Sequence, residues 1–343
     1  MAATELAPAP PSGSVIARAP RERTGSWPLI DRIAYFLCWT VGIGLCLIAL
    51  AIVLFMAVKG ISYLRPSLLV NSPAPSVVQS QSGGFLDPIE GTLLVAAIGT
   101  VIAAPLGVAI AAWLAEYRRP SWLARAVESA IEVMAGAPSV VLALFGLLIF
   151  AQDFLGFLSQ RAATGAVYGR SFFAAGAVMS ILALPLIVSA TREGFAQLPD
   201  RLREASYALG RTRATTIRRV LLPAIRPDIA TGTALGMGRI VGDTAIITIL
   251  LGAGLTMQPV GHTPVIGLLR GTGPTLTSYV YENSPAGEGL APQKAYAAAF
   301  VLLLIVLALN AFVTWLTNGG ARSEGGGLSR ALRLIPFMPN LSR

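Results

Sequence analysis

Arg239 and Asp243 stand four residues apart inside Ile229 to Leu251, a run otherwise made of apolar residues, glycines and threonines. Ionisable groups at such depth are costly in hydrocarbon and mark functional sites by default. On one continuous helix a spacing of four puts both on the same face, where they can neutralise each other. Arg239 would fall about ten residues in and Asp243 about fourteen, close to the midplane at about 1.5 Å per residue. The arginine can offer a planar, permanently charged fork to an anion. Alternatively, the two form a buried ion pair that fixes helix register and never meets a substrate. Spacing alone leaves both readings open.

Few other residues suggest chemistry. Glu128 and Glu132, one helical turn apart, read as interfacial carboxylates paired with Arg125 or with arginines of the inner segment 196–227 rather than as an acid/base pair. His262 is the only histidine and has no Cys, His or acidic neighbours at metal-ligand spacing, so no metal site is expected. With no histidine in an apolar run, an activated nucleophile has little support and no catalytic residue is expected. Only two lysines exist, Lys59 and Lys294, and neither follows the glycine of a phosphate-cradling loop. A chain of this kind binds no ATP and needs no cofactor of its own.

The elements that must position Arg239 and Asp243 are read from composition. The 343 residues are 54% hydrophobic and 13% charged, a membrane protein's balance. Six runs are long enough to cross about 30 Å of hydrocarbon: Ile33 to Val58, Thr92 to Leu114, Val133 to Phe150, Phe172 to Ala190, Ile229 to Leu251 and Ala295 to Leu316. Residues 1–31 form a Pro, Ala and Ser-rich leader expected to be disordered, 32–317 the membrane domain, and 318–343 a tail. The net charge of +9 does not point to nucleic acid, because it is distributed by side. With the amino terminus inside, 19 of the 26 Lys and Arg fall on the inner side, including eight from Arg192 to Arg226, against six outside. That bias places both termini in the cytoplasm. Cys38 and Cys46, eight residues apart and about 12 Å along one helix, cannot bridge.

Pro105, Pro138 and Pro185 fall inside runs, with small residues clustered at Ala135 to Ser139, and serve close helix packing or line a pathway. Two outer loops are long, 59–91 and 252–294; the second carries short apolar turns at Val265 to Leu269 and Leu276 to Tyr281. The inner segment 196–227 is too polar for lipid and too patterned for a flexible loop. Pro199 and Asp200 suit a helix start, and Leu202, Ala205, Ser206 and Leu209 share one face. Gly210 sits where that helix should end. Thr212 can cap a second helix that Pro223 should stop. Two short helices without a core of their own have the character of a docking element.

The spacing Glu204, Ala205, Ser206, three residues, Gly210, nine residues, Val220, one residue, Leu222, Pro223 resembles the EAA loop of membrane subunits of binding-protein-dependent ABC importers, with Ser for the second Ala and Val for Ile. Gly91 to Tyr117, Ala135 to Gly146, Arg239 to Ala245 and Thr275 to Pro285 are together similar to the phosphate-transport permeases, PstA type, over residues 30 to 317. The family writes Glu where this chain has Asp243. The resemblance implies an all-α, six-helix permease of MetI-like architecture in a bacterial inner membrane, passing phosphate by alternating access. Its implied partners are a homologous permease in a heterodimer, two cytoplasmic ATPase subunits that bind the ATP, and an extracytoplasmic phosphate-binding protein. Glu204, Ala205, Gly210, Leu222 and Pro223 would couple to the ATPase. Arg239, Asp243 and Thr244 would lie on the substrate pathway, Asp243 holding the arginine until phosphate competes for it. Another oxyanion or small solute of the same superfamily is the alternative cargo.

Overall fold

The computed structural model describes residues 29–73, 83–117, 120–159, 168–252, 254, 256–259, 264–284 and 292–318. The leader through residue 28, the tail beyond 318 and His262 lie outside them. By internal contacts the chain divides into Met1–Phe55 and Met56–Arg343. The described residues are helical apart from turns, loops and one isolated bridge between Gln258 and Thr272.

The first helix, α1 (Leu29–Ile61), runs three residues past the apolar stretch at its carboxyl end. Both cysteines on it are free and exposed. A short α2 (Pro66–Val70) precedes α3 (Leu86–Glu116). The third apolar run becomes α4 (Ser121–Gly136) and α5 (Ser139–Phe150), and α6 spans Phe172–Gln197. The charged segment folds as α7 (Asp200–Ala208), α8 (Arg213–Thr216), a wide π turn over Ile217–Leu221, and α9 (Leu222–Ala224). Then come α10 (Arg226–Gly242), α11 (Ala245–Leu251), α12 (Pro264–Arg270), α13 (Leu276–Asn283) and α14 (Pro292–Asn318). Four helices, α1, α3, α6 and α14, are long and apolar enough to cross a membrane. The pairs α4/α5 and α10/α11 pass the same test together but are bent by 109° and 60°.

Of the three prolines in apolar runs, only Pro138 ends a helix. It forces the preceding Ala137 to an extended ψ of 132°, and α5 restarts directly after it. Pro105 and Pro185 sit inside unbroken helices, as membrane bundles allow where neighbours compensate the lost hydrogen bond.

At the centre is α6, started by Ser171, whose hydroxyl accepts from the Ala174 amide at 3.0 Å. Its face of Ala175, Met179, Leu182, Ala183 and Ile187 is buried against α3, α5, α10 and α11. Close approach to α10 depends on Gly232 and Gly236, where an added Cβ would press on Ala190, Ile187 and Ala183.

The loop after α11 is stitched to the start of α3. Asp87 Oδ2 accepts from the Met257 amide at 3.0 Å and Thr92 Oγ1 accepts from the Leu276 amide at 2.8 Å. Both short apolar turns expected in this loop are helices, α12 and α13. A capping box at Thr275 and Ser278 opens α13. Burial pushes the Tyr279 phenol up to about 12, with Tyr63 and Glu282 adding to the shift, and it also raises the Glu282 carboxyl.

Between the two stitches, a Cβ on Gly91 would run into the Pro274 carbonyl. Backbone pinned on both sides cannot retreat. Gly91→Ala is therefore expected to cost about 1–3 kcal/mol, typical of overpacking, measured as a lower unfolding temperature in detergent. An unchanged temperature would show that the loop does not bear on α3.

Candidate functional site: a break in α10/α11 and a two-part inner loop

The helix expected to carry Arg239 and Asp243 on one face is not continuous. It breaks at Asp243, which takes an extended conformation with φ −83° and ψ 123°. The carboxylate turns forward: its Oδ1 accepts from the Ile246 amide, three residues on, at 3.0 Å. This is the reach of an N-terminal cap, satisfying a donor that the restarted helix leaves open. Among the described residues Asp243 makes no ion pair with Arg239, so the expected neutralising pair is corrected. The reason is local. Asp is a preferred cap residue and Glu is not, so the shorter acid that sets this chain apart from the family pattern suits the bond it makes.

Arg239 lies in the last turn of α10, the favourable end of the helix dipole for a cation. It is exposed, and no hydrogen bond or ion pair holds its guanidinium among the described residues. Thr231, Leu235, Arg239 and Gly242 are all exposed and recur at helical spacing, so they form one uncovered face of α10. The glycines divide accordingly. Gly232 and Gly236 press on α6, whereas a Cβ at Gly238 or Gly242 would meet nothing within 4 Å. Thr244 is half-buried at the break, and its carbonyl accepts from the Thr248 hydroxyl at 2.8 Å. At the break the charges of Arg239 and Asp243 are not paired, and Asp243 and Thr244 bond forward into α11.

The inner loop starts as expected, with Pro199 before α7, Asp200 in its first turn and Thr212 capping α8 through the Thr215 amide. Gly210 has φ +72°, a conformation that favours glycine. The Gly210 amide donates to the Tyr207 carbonyl at 2.9 Å and the Arg211 amide to the Ser206 carbonyl at 3.3 Å. This is the Schellman pattern.

Pro223 does not stop the second helix where the sequence suggests. The π turn over Ile217–Leu221, in which the Leu222 amide reaches back to the Ile217 carbonyl, precedes it, and helix continues through Ala224. A wide turn relieves the register conflict that a proline brings.

The loop also has a core, which the sequence reading did not foresee. Ile217, Leu221 and Ile225 are buried with Phe195, and Leu198, Val220 and Leu222 pack at their edge. Their spacing of four is the signal that could have found them. The resembling motif is therefore split in two. Leu222 and Pro223 are half-buried in the anchoring part, while Glu204, Ala205 and Gly210 are exposed, together with Leu202 and Leu209. Leu209 is 77% exposed. Of the α7 residues only Ser206 is buried, its hydroxyl 2.8 Å from that of Thr216. Among the described residues Glu128 pairs at 2.7 Å with Arg192 of α6, not with Arg125 or an arginine of the inner loop, and so joins α4 to α6.

The bundle is built around a buried central helix, with broken helices beside it and a two-helix loop after it, and four to six of the chain's helical segments are apolar and long enough to cross a membrane. Residues 103–319 match the model of the binding-protein-dependent transport system inner membrane component family, and the chain belongs to that family. It is 36% identical over 188 residues to the phosphate transport system permease protein PstC of Haemophilus influenzae, covering 51% of this chain and 59% of that one. It is 32% identical over 242 residues to PstC of Xylella fastidiosa, covering 67% and 70%. To PstA 1 of Mycobacterium tuberculosis it is 32% identical over 229 residues, covering 67% and 69%. The similarity thus extends to phosphate permeases of both subunit types, not to the PstA type alone. The fold is also that of a chain in a bacterial alginate ABC transporter, with a TM-score of 0.53 at 16% identity over 85% of this chain and 94% of that one.

Proposed function

We propose that this chain is one membrane-spanning half of an ATP-driven phosphate importer of a bacterial inner membrane. Each bent pair counts as one span, giving six, with both termini in the cytoplasm. A homologous permease supplies the other half in a heterodimer. Two ATPase subunits bind and hydrolyse ATP beneath residues 198–223, and an extracytoplasmic binding protein delivers phosphate. The exposed face of Leu202, Ala205 and Leu209 is what the ATPase cleft covers, and Gly210 sets the turn between the two coupling helices.

One observation carries the reading of the pathway: Arg239 stands unpaired on the uncovered face of α10, at the break, where a permanent cation in lipid would be costly. Facing the seam with a second permease, it meets the phosphate oxygens with its planar fork. Because Asp243 caps α11, it does not compete with the cargo. Release then follows from the change of access and not from a rival carboxylate. Asp243 in place of Glu therefore calls for no different oxyanion.

The test is ATP-dependent uptake by the reconstituted complex in proteoliposomes. Labelled phosphate is expected to accumulate, with arsenate competing and sulfate not. Accumulation of sulfate in preference to phosphate would sink the substrate assignment while leaving the permease assignment standing.

A further inference from the structure

The coupling helix α7 is nearly bare. Its apolar side chains are exposed, and Ser206, its one buried residue, bonds sideways to Thr216 in α8. What ties it to the membrane helices is Arg203. The Arg203 Nε donates to Glu116 Oε1 at 2.9 Å, at the last residue of α3. Its Nη2 donates to the Phe195 carbonyl at 3.2 Å, and its Nη1 to the Leu198 carbonyl at 3.3 Å, both at the end of α6. The same Nη1 reaches Asp200 Oδ1, in the first turn of α7, at 3.0 Å.

One guanidinium thus satisfies a carboxylate and two terminal carbonyls on two membrane helices, plus the start of its own helix. The arrangement is sheltered: the Glu116 side chain is 6% exposed and Arg203 20%, whereas Asp200 is 86% exposed. The pair to Glu116 is therefore less screened than a surface ion pair, and the contact with Asp200 adds little. A lysine could meet Glu116 but could not present donors in a planar fork to all of these acceptors.

We infer that Arg203 is the positioning residue through which displacement of α7 is passed to the ends of α3 and α6. These two helices pack against each other along the bundle, so a pull on their ends reaches the helices beside the break. The inference rests on the transport reading above. It assigns a distinct role within it, since Glu204 and Ala205 face the ATPase while Arg203 faces the membrane domain.

The experiment measures phosphate transported per ATP hydrolysed in the reconstituted complex, for wild type, Arg203→Gln, Arg203→Lys and Glu116→Gln. Docking is checked by cross-linking a Leu209→Cys variant, with Cys38 and Cys46 replaced by Ser, to the ATPase subunit. We expect Arg203→Gln to lower the transport-to-hydrolysis ratio about tenfold, with α7 still cross-linked. Glu116→Gln should do the same to a lesser degree, and Arg203→Lys should recover part of the loss. A merely structural role would reduce the amount of assembled complex, lowering both rates together and leaving the ratio unchanged. An unchanged ratio in Arg203→Gln, or loss of the cross-link in that variant, overturns the assignment. Absence of ATP-driven uptake by the wild-type complex would instead sink the transport reading, and this inference with it.

Discussion

Replacing Arg239 with glutamine is expected to cut phosphate uptake by roughly ten- to a hundredfold while leaving assembly and membrane insertion intact. The magnitude is that of a hydrogen bond to a charged group, about 1.5–3 kcal/mol, at about 1.4 kcal/mol per factor of ten. The side chain is exposed and unpaired in this chain, so its removal breaks no internal contact that could be mistaken for the effect. Asp243→Asn supplies the contrast. Asn caps helices about as well as Asp, so the bond to the Ile246 amide survives and uptake should stay within about threefold of wild type, a margin of less than 1 kcal/mol. A severe loss in Asp243→Asn with a mild one in Arg239→Gln would reverse the roles assigned here. Both measurements are uptake rates in the same proteoliposomes.

The second large effect is expected at Gly210. An L-residue in a left-handed conformation costs about 1–2 kcal/mol, and a β-branched one more. A Cβ at this position would meet nothing within 4 Å, so conformation and not space is what glycine provides within the chain. Gly210→Val is expected to pull the turn out of its Schellman bonds, reorient α7 against α8 and lower uptake at least about tenfold, the loss that a misplacement costing about 1.4 kcal/mol would bring. Gly210→Asn, which tolerates the left-handed region, should keep most of the activity. Unchanged uptake in Gly210→Val, with the protein inserted, would count heavily against the coupling role. Loss in both variants would place a partner's surface against Gly210.

How much of this could be read from the amino acids differs by element. Apolar runs longer than the bilayer is thick announce helices, and α1, α3, α6 and α14 lie where hydropathy puts them. Gly210 and Thr212 were legible because turn and cap chemistry is local. The breaks were not. Pro138 ends a helix and Pro105 and Pro185 do not, although all three fall inside apolar runs. Asp243 misled for a related reason: a spacing of four implies a shared face only while the helix is continuous, and the capping bond that interrupts it competes with the pairing. The core of Ile217, Leu221 and Ile225 was obscured by Arg218 and Arg219, which follow Ile217 directly, and by Pro223, which reads as a helix stop. The clamp at Arg203 could not be read at all, because its partner Glu116 is 87 positions away.

The two kinds of glycine on α10 have a consequence for selectivity. Gly232 and Gly236 seal one side of the helix against α6, and Gly238 and Gly242 leave open space beside Arg239. In the proposed heterodimer, side chains of the opposite subunit would fill the room these glycines leave beside Arg239. On that proposal cargo size would be set by both subunits, and a change of partner alone would retune it while every residue of this chain stays the same.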